Sequence, residues 1–209
     1  MTAESTIRVM TVDDHPLLRE GLAALINNQP GMQLVAQAAN AQEGIAQFRK
    51  HQPDITLMDL RLPDKSGIEA MRVIREEYPE ARVIVLTTFE GDVEIQRALE
   101  AGARAYVLKN MPPKDLLEVI AQVHAGKKRI PSQIAAQLAE HLADEALTGR
   151  QIEVLGQLAG GNRNRDIADL LHISEETVKV HIKHIMDKLG AKDRTQAIAI
   201  AVRRGIIHL

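Results

Sequence analysis

Ile7-Arg8-Val9-Met10-Thr11-Val12-Asp13-Asp14-His15-Pro16 is an apolar-rich run that stops on two carboxylates and a proline. It reads as a buried strand followed at once by a helix. From Pro16 to about Asn28, Leu17, Leu18, Leu22, Leu25 and Ile26 recur at helical spacing. The same alternation continues outward from this unit. Met32–Ala38, Asp54–Met58, Arg82–Thr87 and Arg104–Leu108 read as strands, and Ala41–His51, Gly67–Tyr78, Val93–Ala101 and Leu116–Ala125 as helices. Pro30-Gly31, Pro53, Pro63, Pro79, Gly91, Gly102 and Pro112-Pro113 punctuate them. Five βα units in succession predict an α/β doubly wound, five-stranded parallel sheet with helices on both faces. Strands that read as continuous Val/Ile/Leu runs fit a sheet buried on both sides.

Past Gly126 the pattern changes. Lys127-Lys128-Arg129 is a basic run, and Pro131 to Leu142 reads as a small amphipathic helix. From Leu147 onward only helices are legible: Gly149–Ala159, Arg165–Leu171, Glu175–Leu189 and Thr195–Arg204. The predicted organisation is an α/β domain over 1–126, a partly helical linker over 127–146 and a small all-α four-helix domain over 147–209. Charge divides along the same line. Residues 1–126 carry 13 Lys+Arg against 18 Asp+Glu, a balance of −5, while residues 127–209 carry 13 against 10, a balance of +3. A basic second domain is suited to a polyanion.

Composition removes several classes. The longest unbroken apolar run, Ala197 to Val202, is six residues, against the ~18 that a membrane span requires. The first five residues have neither a basic nor an apolar segment of a signal peptide, and there is no cysteine, so neither disulfides nor thiolate chemistry arise. A cytoplasmic protein with no membrane partner is expected. Aromatics are 2% of the chain, two Phe and two Tyr, all before residue 127. An RNA-binding antiterminator would lack a base-stacking platform on its helical domain.

Parallel sheets bind ligands outside the carboxyl ends of their strands. Asp13 and Asp14 follow the first strand, Asp59 the third and Lys109 the fifth, while Thr87 ends the fourth. Taken singly, an Asp at a strand end is an ordinary turn or cap residue; five such residues gathered together indicate a site. Three carboxylates repel one another unless a cation joins them, and hard oxygen donors beside a phosphate suit Mg²⁺.

Val12-Asp13-Asp14-His15, Leu57-Met58-Asp59-Leu60, Val85-Leu86-Thr87 and Tyr106-Val107-Leu108-Lys109 resemble the motifs of the two-component receiver domain, a flavodoxin-like fold, in the right order over about residues 7–125. The resemblance implies that Asp59 accepts a phosphoryl group from a histidine kinase. It further implies that Asp13, Asp14, Asp59 and the backbone carbonyl of Arg61 hold Mg²⁺, that Lys109 and Thr87 contact the phosphoryl oxygens, and that Tyr106 is the aromatic that follows Thr87 inward. Lys109-Asn110-Met111-Pro112 departs from receivers with proline directly after the lysine. Arg61 and Phe89, each two residues beyond a site residue, are expected to flank the entry of hydrolytic water, with Phe89 slowing dephosphorylation relative to a Phe89→Glu variant. A phosphatase using an aspartyl-phosphate intermediate is the enzyme alternative. Asp59-Leu60-Arg61 lacks the second carboxylate two residues on that one large family of such enzymes uses, and the protein is not expected to be a classical enzyme.

In the second half, Ile167-Ala168-Asp169-Leu170-Leu171, a break, then Ser174-Glu175-Glu176-Thr177 reads as a helix–turn–helix. Ser174 is a good N-cap. Val178, Ile182, Ile185 and Leu189 form a buried stripe at spacings 0, 4, 7 and 11, with Lys179 and Lys183 on another face. Leu147-Thr148-Gly149-Arg150-Gln151-Ile152-Glu153-Val154-Leu155, Asn164-Arg165-Asp166-Ile167-Ala168, Thr177-Val178-Lys179-Val180-His181 and Arg194-Thr195-Gln196-Ala197 resemble LuxR-type DNA-binding domains over 147–206. A receiver joined to such a domain is the layout of NarL/FixJ-type response regulators. The resemblance implies that Lys179, Val180 and Lys183 read base edges of double-stranded promoter DNA, while Thr177, His181 and Lys188 make or support backbone contacts. It also implies that Thr195–Arg204 forms a homodimer contact once phosphorylation frees the protein to pair on a two-fold site. Three departures stand out: Gly149 for a frequent proline, Gln151 for a glutamate, and Arg163 for a capping Ser or Thr. The last leaves Asn162 or Asn164 as the expected cap and Arg163 as an added phosphate contact.

Overall fold

A computed structural model describes residues 6–88, 91–130, 135 and 145–207. Phe89 and, apart from Ala135, the helix expected over 131–142 lie outside the described residues. The chain divides into two compact units, residues 1–89 with 96–132, and residues 90–95 with 133–209. No helix among the described residues is long and apolar enough to cross a membrane.

The α/β part runs β1 (Ile7–Val12), α1 (Pro16–Asn27), β2 (Met32–Ala38), α2 (Ala41–His51), β3 (Ile55–Met58), α3 (Gly67–Glu77), β4 (Val83–Thr87), α4 (Asp92–Glu100), β5 (Ala105–Leu108) and α5 (Pro113–His124). Its five strands are all parallel, in the order β2-β1-β3-β4-β5. Sequence order reverses between β1 and β3, and there the crevice at the carboxyl ends opens. Alternate strand residues point to opposite faces. On one face Val9, Ile55, Leu57, Ile84, Leu86, Ala105 and Val107 pack with Leu22 and Ile26 of α1 and Leu116, Val119, Ile120 and Val123 of α5. On the other, Val12 lies against Gly44 of α2, where a Cβ would come within 3.0 Å of its side chain. The core is aliphatic, as a chain with few aromatics requires; Phe48 and Tyr78 supply one ring pair, with centroids 5.3 Å apart.

The helical part comprises α6 (Gly149–Ala159), α7 (Asn164–Leu171), α8 (Glu175–Leu189) and α9 (Arg194–Arg203). Val154, Leu155, Leu158, Ile167, Ala168, Val178, Ile185, Ala197 and Ala201 form its buried centre. The four helices predicted from Gly149 onward are all present, with ends displaced by at most a residue. At α6 the neutral Gln151 replaces a charge without loss of the cap: Thr148 Oγ1 accepts from the Gln151 N–H at 3.3 Å, and Gln151 Oε1 accepts from the Thr148 N–H at 2.9 Å. The start of α7 differs from expectation. Arg163 itself holds the N-cap position, and its N–H is taken by Asp166 Oδ2 at 3.1 Å. Asn162 instead donates to Gln157 Oε1 at 2.9 Å, and Asn164 is the first helical residue. A carboxylate one turn into the helix supplies half of a capping box, and this suffices without a Ser or Thr.

Candidate functional site

The carboxyl ends of β1, β3, β4 and β5 bring Asp13, Asp59, Thr87 and Lys109 together. Asp13 continues β1, its N–H donating to Ala38 O at 3.1 Å, and Asp59 continues β3, its N–H donating to Val12 O at 2.8 Å. The Lys109 N–H donates to Thr87 O at 2.8 Å, so ladder bonds tie these positions to one another. Lys109 Nζ stands 2.7 Å from Asp59 Oδ2 and 2.7 Å from Asp13 Oδ2. Asp13, Asp59 and Thr87 are buried. The contact to Asp59 is an aligned hydrogen bond. That to Asp13 is an ion pair of the same length.

Burial pushes the Asp59 carboxyl above its ordinary range, with Asp13 adding to the rise and Lys109 opposing it. Burial would pull the Lys109 ammonium down, but its bonds to Asp13 and Asp59 outweigh that and push it up. One ammonium thus serves two buried carboxylates, and a third, Asp14, lies at the rim. Ligand atoms of Asp13, Asp14, His15 and Asp59 all lie within 4.8 Å of one another. Three carboxylates against one ammonium, all offering hard oxygen donors, fit a divalent cation such as Mg²⁺. Arg61, whose N–H donates to Asp59 Oδ1 at 3.3 Å, sets its backbone at the edge of the same pocket.

Two supporting residues carried no role in the sequence reading. Gly67 opens α3 so close to β3 that a Cβ there would lie 1.9 Å from Asp59 O. Asp64, in the loop after β3, accepts from the N–H groups of Ala41 and Gln42 at 2.8 and 2.9 Å. It thereby caps α2 across the crevice. Slight desolvation raises its carboxyl, but the backbone donors prevail and hold it below the usual range. Tyr106 is fully buried on β5 and registers opposite Val85, two residues before Thr87 on the same face of β4.

In the helical unit, Ser174 Oγ accepts from the Thr177 N–H at 3.0 Å and starts α8. Val178 and Ile185 are buried, with Ile182 and Leu189 packed beside them. Lys179, Val180 and Lys183 are exposed, Lys179 lying 3.3 Å from Glu176. Thr177, His181 and Lys188 occupy another flank and are half-buried. Lys188 stands apart from the exposed set: its Nζ donates to Ala146 O at 3.0 Å and pairs with Glu145 at 3.2 Å.

Comparison with known families agrees with both geometries. The response regulator receiver domain matches residues 9–121, and the luxR family of bacterial regulatory proteins matches residues 145–201. The chain is a response regulator with a LuxR-type DNA-binding domain. This response regulator is 36% identical over 216 residues to the transcriptional regulatory protein LnrK of Bacillus subtilis, covering 96% of this chain and 98% of the relative. It is 34% identical over 208 residues to the response regulator protein VraR of Staphylococcus aureus, covering 97% and 100%. Among solved structures it is similar to RcsB from Salmonella enterica serovar Typhimurium, bound to promoter P1flhDC in the presence of the phosphomimetic BeF3⁻. There the TM-score is 0.73 and the identity 26%, over 94% of this chain and 98% of that one.

Proposed function

We propose that this response regulator is a cytoplasmic transcription regulator switched by phosphorylation, taking a phosphoryl group on Asp59 from a histidine kinase and binding promoter DNA as a homodimer through α8. The observation that carries the first half is Lys109 Nζ, 2.7 Å from both Asp13 and Asp59 at the strand ends. Phosphoryl transfer asks a protein for positioning and charge neutralisation rather than for covalent help. In the proposed step an Asp59 carboxylate oxygen forms the new O–P bond as the N–P bond to the kinase imidazole breaks, the ring nitrogen keeping the electron pair. Lys109 is placed to meet the phosphoryl oxygens with an ammonium held charged by two carboxylates. A Mg²⁺ bound by Asp13, Asp14, Asp59 and the Arg61 carbonyl would neutralise the remaining oxygens. Once formed, the aspartyl phosphate offers new acceptors to the Thr87 hydroxyl, with Tyr106 buried on the same face of the sheet.

The second half is supported by the exposed Lys179, Val180 and Lys183 on a helix whose opposite face is core, the arrangement a recognition helix needs in a major groove. RcsB bound to a promoter is a precedent of the same layout. Lys188 supports this helix from the Ala146 carbonyl, and Arg163, exposed beside the start of α7, is placed for a phosphate contact. Incubation with a small phosphodonor and Mg²⁺, followed by intact-mass measurement, tests the acceptor. Wild type gains one phosphoryl mass, and Asp59→Asn or chelation of the metal abolishes the gain. Uptake by Asp59→Asn would refute the assignment.

A further inference from the structure

We propose that His15 is an additional ligand of the cation pocket, one that tilts it toward nitrogen-accepting first-row ions such as Mn²⁺ over Mg²⁺. This rests on the reading of Asp13, Asp14 and Asp59 as the cation's carboxylates. His15 holds the N-cap position of α1, yet its side chain makes no capping hydrogen bond. A residue in that position ordinarily turns its polar group to the free N–H groups of the first helical turn. Here the ring turns the other way. Pro16 follows directly and confines His15 to extended backbone, φ −84° and ψ 107°, and the His15 N–H is anchored to Asp13 Oδ1 at 2.8 Å. The imidazole Nδ1 comes to 2.7 Å from Asp14 Oδ1 and 3.0 Å from Asp13 Oδ1.

Those are the carboxylates that face the proposed cation, and a nitrogen lodged between them is within reach of an ion they hold. The side chain is 66% exposed, so the ring can take up a ligand position without disturbing the core. Metal chemistry supplies the selectivity. Mg²⁺ prefers oxygen, demands near-ideal octahedral geometry and retains several waters, which leaves His15 as a hydrogen-bond partner of the carboxylates. Imidazole suits the later first-row ions best; Mn²⁺, though it too favours oxygen, is softer than Mg²⁺ and exchanges a water for an imidazole nitrogen more readily.

The alternative is that His15 only orients the two aspartates through hydrogen bonds. His15→Asn separates the readings, because its amide keeps a donor near the place of Nδ1 and offers no imidazole. With full-length, tag-free protein, Mn²⁺ and Mg²⁺ affinities are measured by titration and competition, and the Mn²⁺-loaded forms by pulsed electron paramagnetic resonance. Expected is a nitrogen modulation in wild type that vanishes in His15→Asn. A loss of Mn²⁺ affinity on the order of tenfold should accompany it, with Mg²⁺ affinity changed by less than about twofold. A modulation missing from wild type, one that persists in the variant, or equal changes for both ions would overturn the proposal. Asp14→Ala serves as the control. If it loses both ions while His15→Asn keeps full Mn²⁺ affinity, the His15 inference fails alone. If Asp14→Ala retains both ions, the pocket reading fails and takes the inference with it.

Discussion

At the scale of single residues, Lys109 is the one lysine or arginine among the described residues whose side chain pairs with both the Asp13 and Asp59 carboxylates, and the metal-free pocket depends on it. Lys109→Met leaves two buried carboxylates facing each other without a counter-charge. We expect a loss of about 2–3 kcal/mol in a chelator, toward the low end for breaking a buried pair because the pocket opens to solvent at Asp14, and a smaller gap when Mg²⁺ is added. Denaturant melts with and without the ion measure both. Asp59 behaves oppositely with pH. Its carboxyl is raised by burial despite Lys109, so the folded state binds its proton more tightly than the unfolded state does. The contribution of Asp59 to stability is therefore most favourable at low pH and falls as pH rises through the window above the ordinary carboxylate range. Asp59→Asn removes that ionisation while keeping an amide oxygen for Lys109. In a chelator the variant should melt above wild type at pH 7, by a margin that shrinks toward pH 4; a margin growing toward low pH would contradict this sign.

At the scale of elements, the approach of α3 to β3 positions the Asp59 backbone. Gly67→Ala forces a Cβ onto Asp59 O, 1.9 Å from the glycine's ideal Cβ position. The expected cost is about 2–4 kcal/mol, in the range of an overpacked core, with phosphoryl uptake slowed because the acceptor's own backbone is displaced. Equilibrium unfolding and uptake rates check the two effects separately. Gly67 was invisible as a requirement in the sequence, since the clash is with a residue eight positions earlier across a turn. Asp64 was equally silent, because its partners are the N–H groups of another βα unit. What was legible followed from local period. Val/Ile/Leu runs and 3.6-residue stripes placed every described strand and nearly every helix end, the chief exception being α5, which begins at Pro113 rather than Leu116. The rule that parallel sheets use their carboxyl edge gathered Asp13, Asp59, Thr87 and Lys109. His15 escaped because a residue before a proline reads as a helix boundary, and Arg163 was misjudged because the compensating carboxylate, Asp166, lies inside the helix.

At the scale of the whole molecule, a formal charge of −2 hides an acidic receiver domain and a basic DNA-binding one, and the proposed function requires that chemistry in the first govern binding by the second. The two rest on separate features, buried carboxylates in one and an exposed helix face in the other, so a measurement that links them decides the matter. A DNA duplex is first selected from random sequence by the phosphodonor-treated protein. Its affinity for wild type and for Asp59→Asn is then measured, with and without phosphodonor and Mg²⁺, over a range of salt. Phosphodonor is expected to tighten wild-type binding and to leave Asp59→Asn unchanged, with both weakening as salt rises because lysines displace counterions from phosphates. An equal response of wild type and Asp59→Asn to the phosphodonor would show that Asp59 does not control DNA binding.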